Sequence, residues 1–231
     1  MQDPQRPPSA VNPLPAAVVA LATVIIGVEL IISLMEQPIF GGLSAGDTRI
    51  NLLERYAFFG QRLDLMLSNG QFPVQWLITF VTYPFIHASL WSAVFVCVFI
   101  LAMGKIVGEA FGSVAVLSLF FASSIFGALI YGLLLNEDFP LIGAWPGVYG
   151  LIGGFTFVLW VRQQALGESS ARAFQLIALL LGLQLFFGLL FGGHNDWVAD
   201  LAGFACGFGL SFLMVPGGWA RLREALRNRR R

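Results

Sequence analysis

Charge is what this sequence has least of. Only 26 of its 231 residues are acidic or basic, 13 of each sign, a share of 11% where a soluble domain carries about 25%. That scarcity excludes an ordinary water-soluble domain. The net charge is zero, so there is no electrostatic footprint for nucleic acid. Cysteine is rarer still: Cys97 and Cys206 both stand inside apolar runs, which excludes a disulfide framework and a thiolate zinc site. No metal or cofactor is expected. What the chain has in abundance is apolar surface, 57% hydrophobic residues, together with 26 glycines, more than one globular core of this size hides. The remaining class is an integral membrane protein.

A spanning helix needs about 20 mostly apolar residues to cross about 30 Å of hydrocarbon. Six stretches qualify: 16–34, interrupted by Glu29; 88–103, with an extension past Lys105; 111–135, without any charge; 141–161; 173–193; and 197–215, which contains Asp200. An even number of spans puts both ends on one side. The first stretch is too long for a cleavable signal peptide, follows a proline-rich leader over 1–15 and has no small-x-small exit. Arg6, Lys105, Arg162, Arg172 and Arg221, Arg223, Arg227, Arg229, Arg230 and Arg231 fall on one face, against Arg49, Arg55 and Arg62 on the other. Both termini are therefore expected to be cytoplasmic.

The membrane domain covers 16–216, and 217–231 form a basic tail set against lipid headgroups, where each cation contributes about 1 kcal/mol. The sizeable extramembrane segment is the outer loop 35–75. There Asp47 is placed to cap an amphipathic interfacial helix through Ile50, Leu53, Ala57 and Phe58. The aromatic stretch 76–85 then approaches the second span.

Glycine gathers in the fourth and sixth spans: Gly143, Gly147, Gly150, Gly153 and Gly154, then Gly203, Gly207 and Gly209. The four-residue spacings of Gly150 with Gly154 and Gly203 with Gly207 leave flat faces on which two backbones can cross closely, although glycine is also frequent in membrane helices generally. Asp200 is the sharper feature. An acid at that depth either turns inward to a functional site or caps its helix beside Asn195 and Asp196. Glu29 poses the same pair of alternatives. His87, just before the second span, reads as an interfacial hydrogen-bonding residue, since the other histidine, His194, stands in the outer loop before the sixth span.

Three blocks resemble the rhomboid intramembrane serine proteases. Thr82-Tyr83-Pro84-Phe85-Ile86-His87-Ala88-Ser89, with Gly104 and Glu109 further on, is similar to that family's threonine-x-x-phenylalanine-x-histidine block. The run from Pro140 to Gly153 resembles the block that carries its nucleophile, and the run from Val198 to Gly207 the block that carries its catalytic histidine. The resemblance implies an all-α membrane protein, a six-transmembrane-helix rhomboid-like bundle with a long first outer loop. Short loops and six spans also suggest a bacterial inner membrane.

The catalytic chemistry of that family does not carry over. Trp145 occupies the nucleophilic serine position, with Pro146 where the next glycine belongs; Asp200 occupies the histidine position; Ser92 and Val96 occupy the two oxyanion positions. A serine protease needs an activated hydroxyl, a base within reach and donors for the oxyanion. The scaffold positions Tyr149, Gly143, Gly150, Gly203 and Gly207 remain. In the family the tyrosine stacks on the catalytic histidine, and here Tyr149 and the Trp145 indole are the expected hydrogen-bond partners of Asp200.

The resulting expectation is a pseudoprotease that binds or regulates other transmembrane proteins without cleaving them, with His87, Trp145, Tyr149 and Asp200 as the client pocket. Membrane lipids are its other contacts. Three competitors stand beside it: an active serine endopeptidase of altered mechanism, drawing on Ser92, Ser123 or Ser124; a transporter with a polar path through Glu29, His87 and Asp200; and a structural subunit of a larger membrane complex.

Overall fold

The computed structural model describes residues 13–37, 45–135, 137–191 and 195–214. The proline leader up to residue 12, His194, and the basic tail from 215 lie outside the described residues.

The first helix, α1 (Ala16–Met35), starts directly after Pro15, a residue whose fixed φ suits the approach to a helix. Across the outer loop come α2 (Ala45–Tyr56), α3 (Gly60–Asn69) and α4 (Val74–Thr82), ending in a 3-10 turn over Tyr83–Phe85. Then follow α5 (Leu90–Phe111), α6 (Ser113–Leu134), α7 (Trp145–Ala165), a second 3-10 turn over Ser170–Phe174, α8 (Gln175–Phe191) and α9 (Trp197–Met214). Gly112, at φ +88°, is the whole connection between α5 and α6. Only glycine enters that backbone region freely, which makes so tight a reversal possible.

The helix α7 is the centre of the bundle. It packs against α9, α6 and α5, and α1 covers α5 and α6 from the other side. The main core joins Val18, Leu21 and Ile25 of α1, Val96 and Ile100 of α5, Leu119 and Phe120 of α6, Val148, Leu151 and Ile152 of α7, and Phe204 of α9. Large apolar side chains also point outward, among them Ile31, Phe95, Val98, Val114 and Leu179. A water-soluble monomer rarely exposes so continuous an apolar belt, and here it meets lipid. Among the described residues, four helices are long and apolar enough to cross a membrane: α1, α5, α6 and α9. The other two expected spans differ. Helix α7 is long but carries its glycines, Pro146 and the Arg162-Gln163-Gln164 end, which dilute its hydropathy, and α8 has 17 residues.

The outer loop departs from the single interfacial helix read from the sequence. Among the described residues, α2 and α3 lie within 35–75 and α4 begins at its end, and Asp47 stands in the first turn of α2 rather than before it. The chain breaks at Ala57–Phe59 because Phe58 is drawn inward, with Leu63, Met66, Tyr83, Tyr131 and Leu141, into a second apolar cluster. There Phe58 and Leu141 exchange backbone hydrogen bonds, Phe58 N–H to Leu141 O at 3.2 Å and Leu141 N–H to Phe58 O at 2.8 Å. That pairing fixes Leu141, and the chain turns at Gly143 before α7 begins at Trp145 and not at 141.

Candidate site beneath the outer loop

The start of α7 is fixed by the chain that precedes α5. Gly143 N–H donates to the carbonyls of Tyr83 and Ile86, at 3.1 and 2.8 Å. Tyr83, fully buried, donates its hydroxyl to Ser124 O on α6 at 2.7 Å. Gly143 has φ +79° and lies against the His87 ring. Two residues later Trp145 opens α7, with Pro146 behind it, where a missing N–H leaves no helical bond unmade.

From α7, Trp145 and Tyr149 face a cavity of about 450 Å³. Phe95 and Phe99 of α5, Leu180, Leu183 and Gln184 of α8, and Asp196 and Asp200 at the start of α9 complete much of its wall. Phe99 meets the Trp145 ring edge-on at 5.7 Å, and Trp145 meets Tyr149 the same way at 6.4 Å. No serine, threonine, cysteine, histidine or basic residue is among the described residues that line this space.

The polar part is a relay through α8. Tyr149 donates its hydroxyl to Gln184 Oε1 at 3.1 Å, and Gln184 Nε2 donates to Asp200 Oδ2 at 2.9 Å. The expected direct bond from Tyr149 to Asp200 is thus replaced by a bridge, because the Gln184 amide accepts at one end and donates at the other. Trp145 makes no hydrogen bond to Asp200 among the described residues. Asp200 is 2% exposed, and its Oδ1 has no hydrogen-bond partner there.

Not every expected site residue is gathered here. Ser92 lies in the first turn of α5, where its N–H donates to the capping Ser89 Oγ at 3.3 Å, and Val96 is buried in the main core. Neither lines the cavity. Ser124 donates its hydroxyl to Phe120 O at 2.8 Å, and Ser123 sits against Gly150. His87 is fully buried, with neither ring nitrogen at hydrogen-bonding geometry. Burial pushes its pKa down to about 4; the Phe85 backbone opposes the shift and the Arg49 charge adds to it. The interfacial hydrogen-bonding role expected for that imidazole is not what its surroundings provide.

The glycines sit where helices touch. A Cβ on Gly203 would overlap Pro146 O, one on Gly207 would overlap Gly150 O, and one on Gly150 would overlap the Ser123 side chain. Gly154 faces Leu119 of α6, where a Cβ would come within 2.9 Å. Helices α7 and α9 therefore cross backbone to backbone, which places Asp200 beside the start of α7.

Glu29 belongs elsewhere. It is fully buried on α1 and paired with Arg49 of α2, Nη2 to Oε1 at 2.8 Å. The same guanidinium binds Glu36, Nε to Oε1 at 2.7 Å, and donates to the His87 carbonyl. Its pKa is held above the ordinary guanidinium value, mainly by the Glu36 hydrogen bond against the opposing effect of burial, with Glu29 adding to the rise. A polar path from Glu29 to Asp200 loses its first member to this ion pair. Two residues that sequence reasoning did not single out, Gln184 and Arg49, make the polar contacts of both acids. A lone amide in an apolar span was the available signal for Gln184.

The model of the rhomboid domain family matches residues 75–217, which takes in the cavity, the relay and the α7–α9 crossing. Among curated proteins, the chain is 26% identical over 129 residues to rhomboid-like protease 1 of Toxoplasma gondii, covering 56% of this chain and 44% of that one. It is 31% identical over 130 residues to rhomboid-like protease 3 of the same organism, covering 56% and 49%. The matched part is thus less than half the length of either relative.

Proposed function

On the premise that this chain belongs to the rhomboid family, we propose that it is an inactive member, a pseudoprotease that binds or regulates other transmembrane proteins without cleaving them. One observation supports the proposal: Trp145 and Asp200, the residues that the resemblance sets at the nucleophile and base positions, line one cavity, with no serine, threonine, cysteine or histidine among its described residues. The phenol of Tyr149 is engaged with Gln184. An acyl-transfer site needs a nucleophile, a base in reach and an oxyanion pocket. Ser92, Ser123 and Ser124 do not line this cavity, and the Val96 side chain has no donor to offer. The close α7–α9 packing favours a retained scaffold put to use in binding.

In this reading α1, α5, α6, α7, α8 and α9 are six spans. The loop helices α2 to α4 lie on the outer face and both termini lie in the cytoplasm, an orientation favoured by the distribution of arginine. The short loops favour a bacterial inner membrane.

The test combines two measurements on the full chain in lipid vesicles. A serine-reactive fluorophosphonate probe is expected to leave it unlabelled and model transmembrane substrates uncut. Intact transmembrane proteins are expected to co-purify with it and to be lost or exchanged on Trp145→Ala or Asp200→Leu. Labelling abolished by one serine substitution would establish a protease instead.

A further inference from the structure

Asp200 is an acid with half of its hydrogen-bonding capacity unused. Its Oδ2 receives the Gln184 amide, while Oδ1, almost entirely enclosed, receives nothing among the described residues. A buried carboxyl left in this way is costly in a membrane and is normally answered by a donor or a cation. No basic residue is among the described residues of the cavity wall, and Arg49 is held by Glu29 and Glu36. What surrounds Asp200 is aromatic: Phe95, Phe99, Trp145 and Tyr149 line the same space, with Asp196 as a second acid. Ring faces attract cations, most strongly where water is excluded.

The cavity's size and place narrow the ligand further. A helix is about 10–12 Å across with its side chains, far too wide for about 450 Å³, whereas one long side chain fits. The space lies between α5 and α8, whose principal neighbours are elsewhere: α1, α6 and α7 for α5, and α9 with the Ser170–Phe174 turn for α8. Phe95 is 62% exposed and Leu183 50% exposed on these flanks. A helix in the surrounding lipid can therefore lie along them and send a side chain inward.

We infer that this cavity accepts a lysine side chain from a transmembrane client, its four-carbon stem along the aromatic wall and its ammonium against the Asp200 carboxyl. The inference rests on the reading of the protein as a binder of transmembrane segments and names the feature of the client that it selects. A lysine has the flexible stem and point charge for so narrow an acceptor, and burying the ammonium beside a carboxyl relieves the cost each bears alone in lipid.

The experiment uses the full chain in phosphatidylcholine vesicles and a leucine-rich single-span peptide carrying, at one position in its outer third, Lys, Met or Glu. Binding is read by energy transfer from protein tryptophan to a labelled peptide. The Lys peptide is expected to bind about tenfold or more tighter than the Met peptide, as a charge-assisted hydrogen bond allows, and the Glu peptide weakest. Asp200→Asn, close in volume, is expected to bring Lys binding down to that of the Met peptide measured on the same variant. Equal affinity for Lys and Met peptides, or a Lys preference that survives Asp200→Asn, overturns the inference and leaves the binding function standing. Failure of all three peptides to bind overturns both. The comparison among peptides needs only the unmodified protein, so it stands even if the variant does not fold.

Discussion

Arg49 of the outer loop and Glu29 of the first helix form a bidentate pair, Nη2 to Oε1 at 2.8 Å and Nη1 to Oε2 at 3.4 Å, with the carboxylate fully buried. Because Arg49 also binds Glu36 and the His87 carbonyl, one guanidinium ties α1, α2 and the chain before α5 together. The outer loop is thereby fastened to the bundle by charge at one end, and at the other by the Phe58–Leu141 backbone pairing.

Arg49→Met should destabilise the protein by about 3 kcal/mol or more, since removal of one partner leaves a buried charge uncompensated. Adding Glu29→Gln should recover much of that loss. Unfolding in detergent micelles, followed for both variants, checks the pair; equal stability of the single variant and the parent would remove the clamp.

Gly207→Ala should cost about 1–3 kcal/mol or more, because its Cβ would overlap Gly150 O, backbone that cannot step aside. Gly209 lies on the same helix with nothing within 4 Å of a Cβ. Gly209→Ala should be neutral or slightly stabilising, since alanine favours the helix. The difference between the two melting temperatures measures the α7–α9 crossing free of helix propensity.

Gln184→Leu should cost about 1–3 kcal/mol, for it strips the Asp200 carboxyl of its amide and leaves the Tyr149 hydroxyl unpaired. Combining Gln184→Leu with Asp200→Leu and Tyr149→Phe should recover stability, as replacing every partner removes the unmet groups together. Failure of the triple variant to regain stability over Gln184→Leu would mean that the relay does not act as a unit.

Stability should fall with acidity through His87. Its folded pKa, about 4, lies below the ordinary value near 6.5, so the unfolded state binds the proton first. This contribution is complete above about pH 6.5 and is lost as pH falls towards 4, a total of about 3 kcal/mol. Melting temperatures between pH 7.5 and 4.5 should decline less steeply in His87→Met than in the parent; parallel curves would place the pH dependence elsewhere.

The long apolar helices were legible because hydropathy is additive along the chain: α6 and α9 fall within stretches that composition alone marks out, α1 runs one residue past its stretch, and α5 continues past 103 to Phe111. Boundaries moved where a tertiary contact outweighed the local pattern. Leu141 belongs to an apolar run, yet its backbone pairs with Phe58 from a segment far away in sequence, and the helix waits until Trp145. The same contact goes with the end of the expected loop helix at Tyr56, short of Ala57 and Phe58, since an amphipathic pattern does not tell which apolar residues find a core. Among the site residues, Trp145, Tyr149 and Asp200 converge, whereas Ser92 and Val96 share a helix with the cavity's α5 wall without facing it.

What the sequence determined by itself is the solvent of this protein. That is a matter of composition, readable without coordinates. Which polar groups answer which was decided by the tertiary structure. Glu29 and Asp200 looked alike as acids in apolar runs, but the fold folds Arg49 back onto one and turns an amide towards the other. Partner choice depends on distances across the bundle, and the bilayer makes each choice matter, because a polar group in hydrocarbon has no water to fall back on.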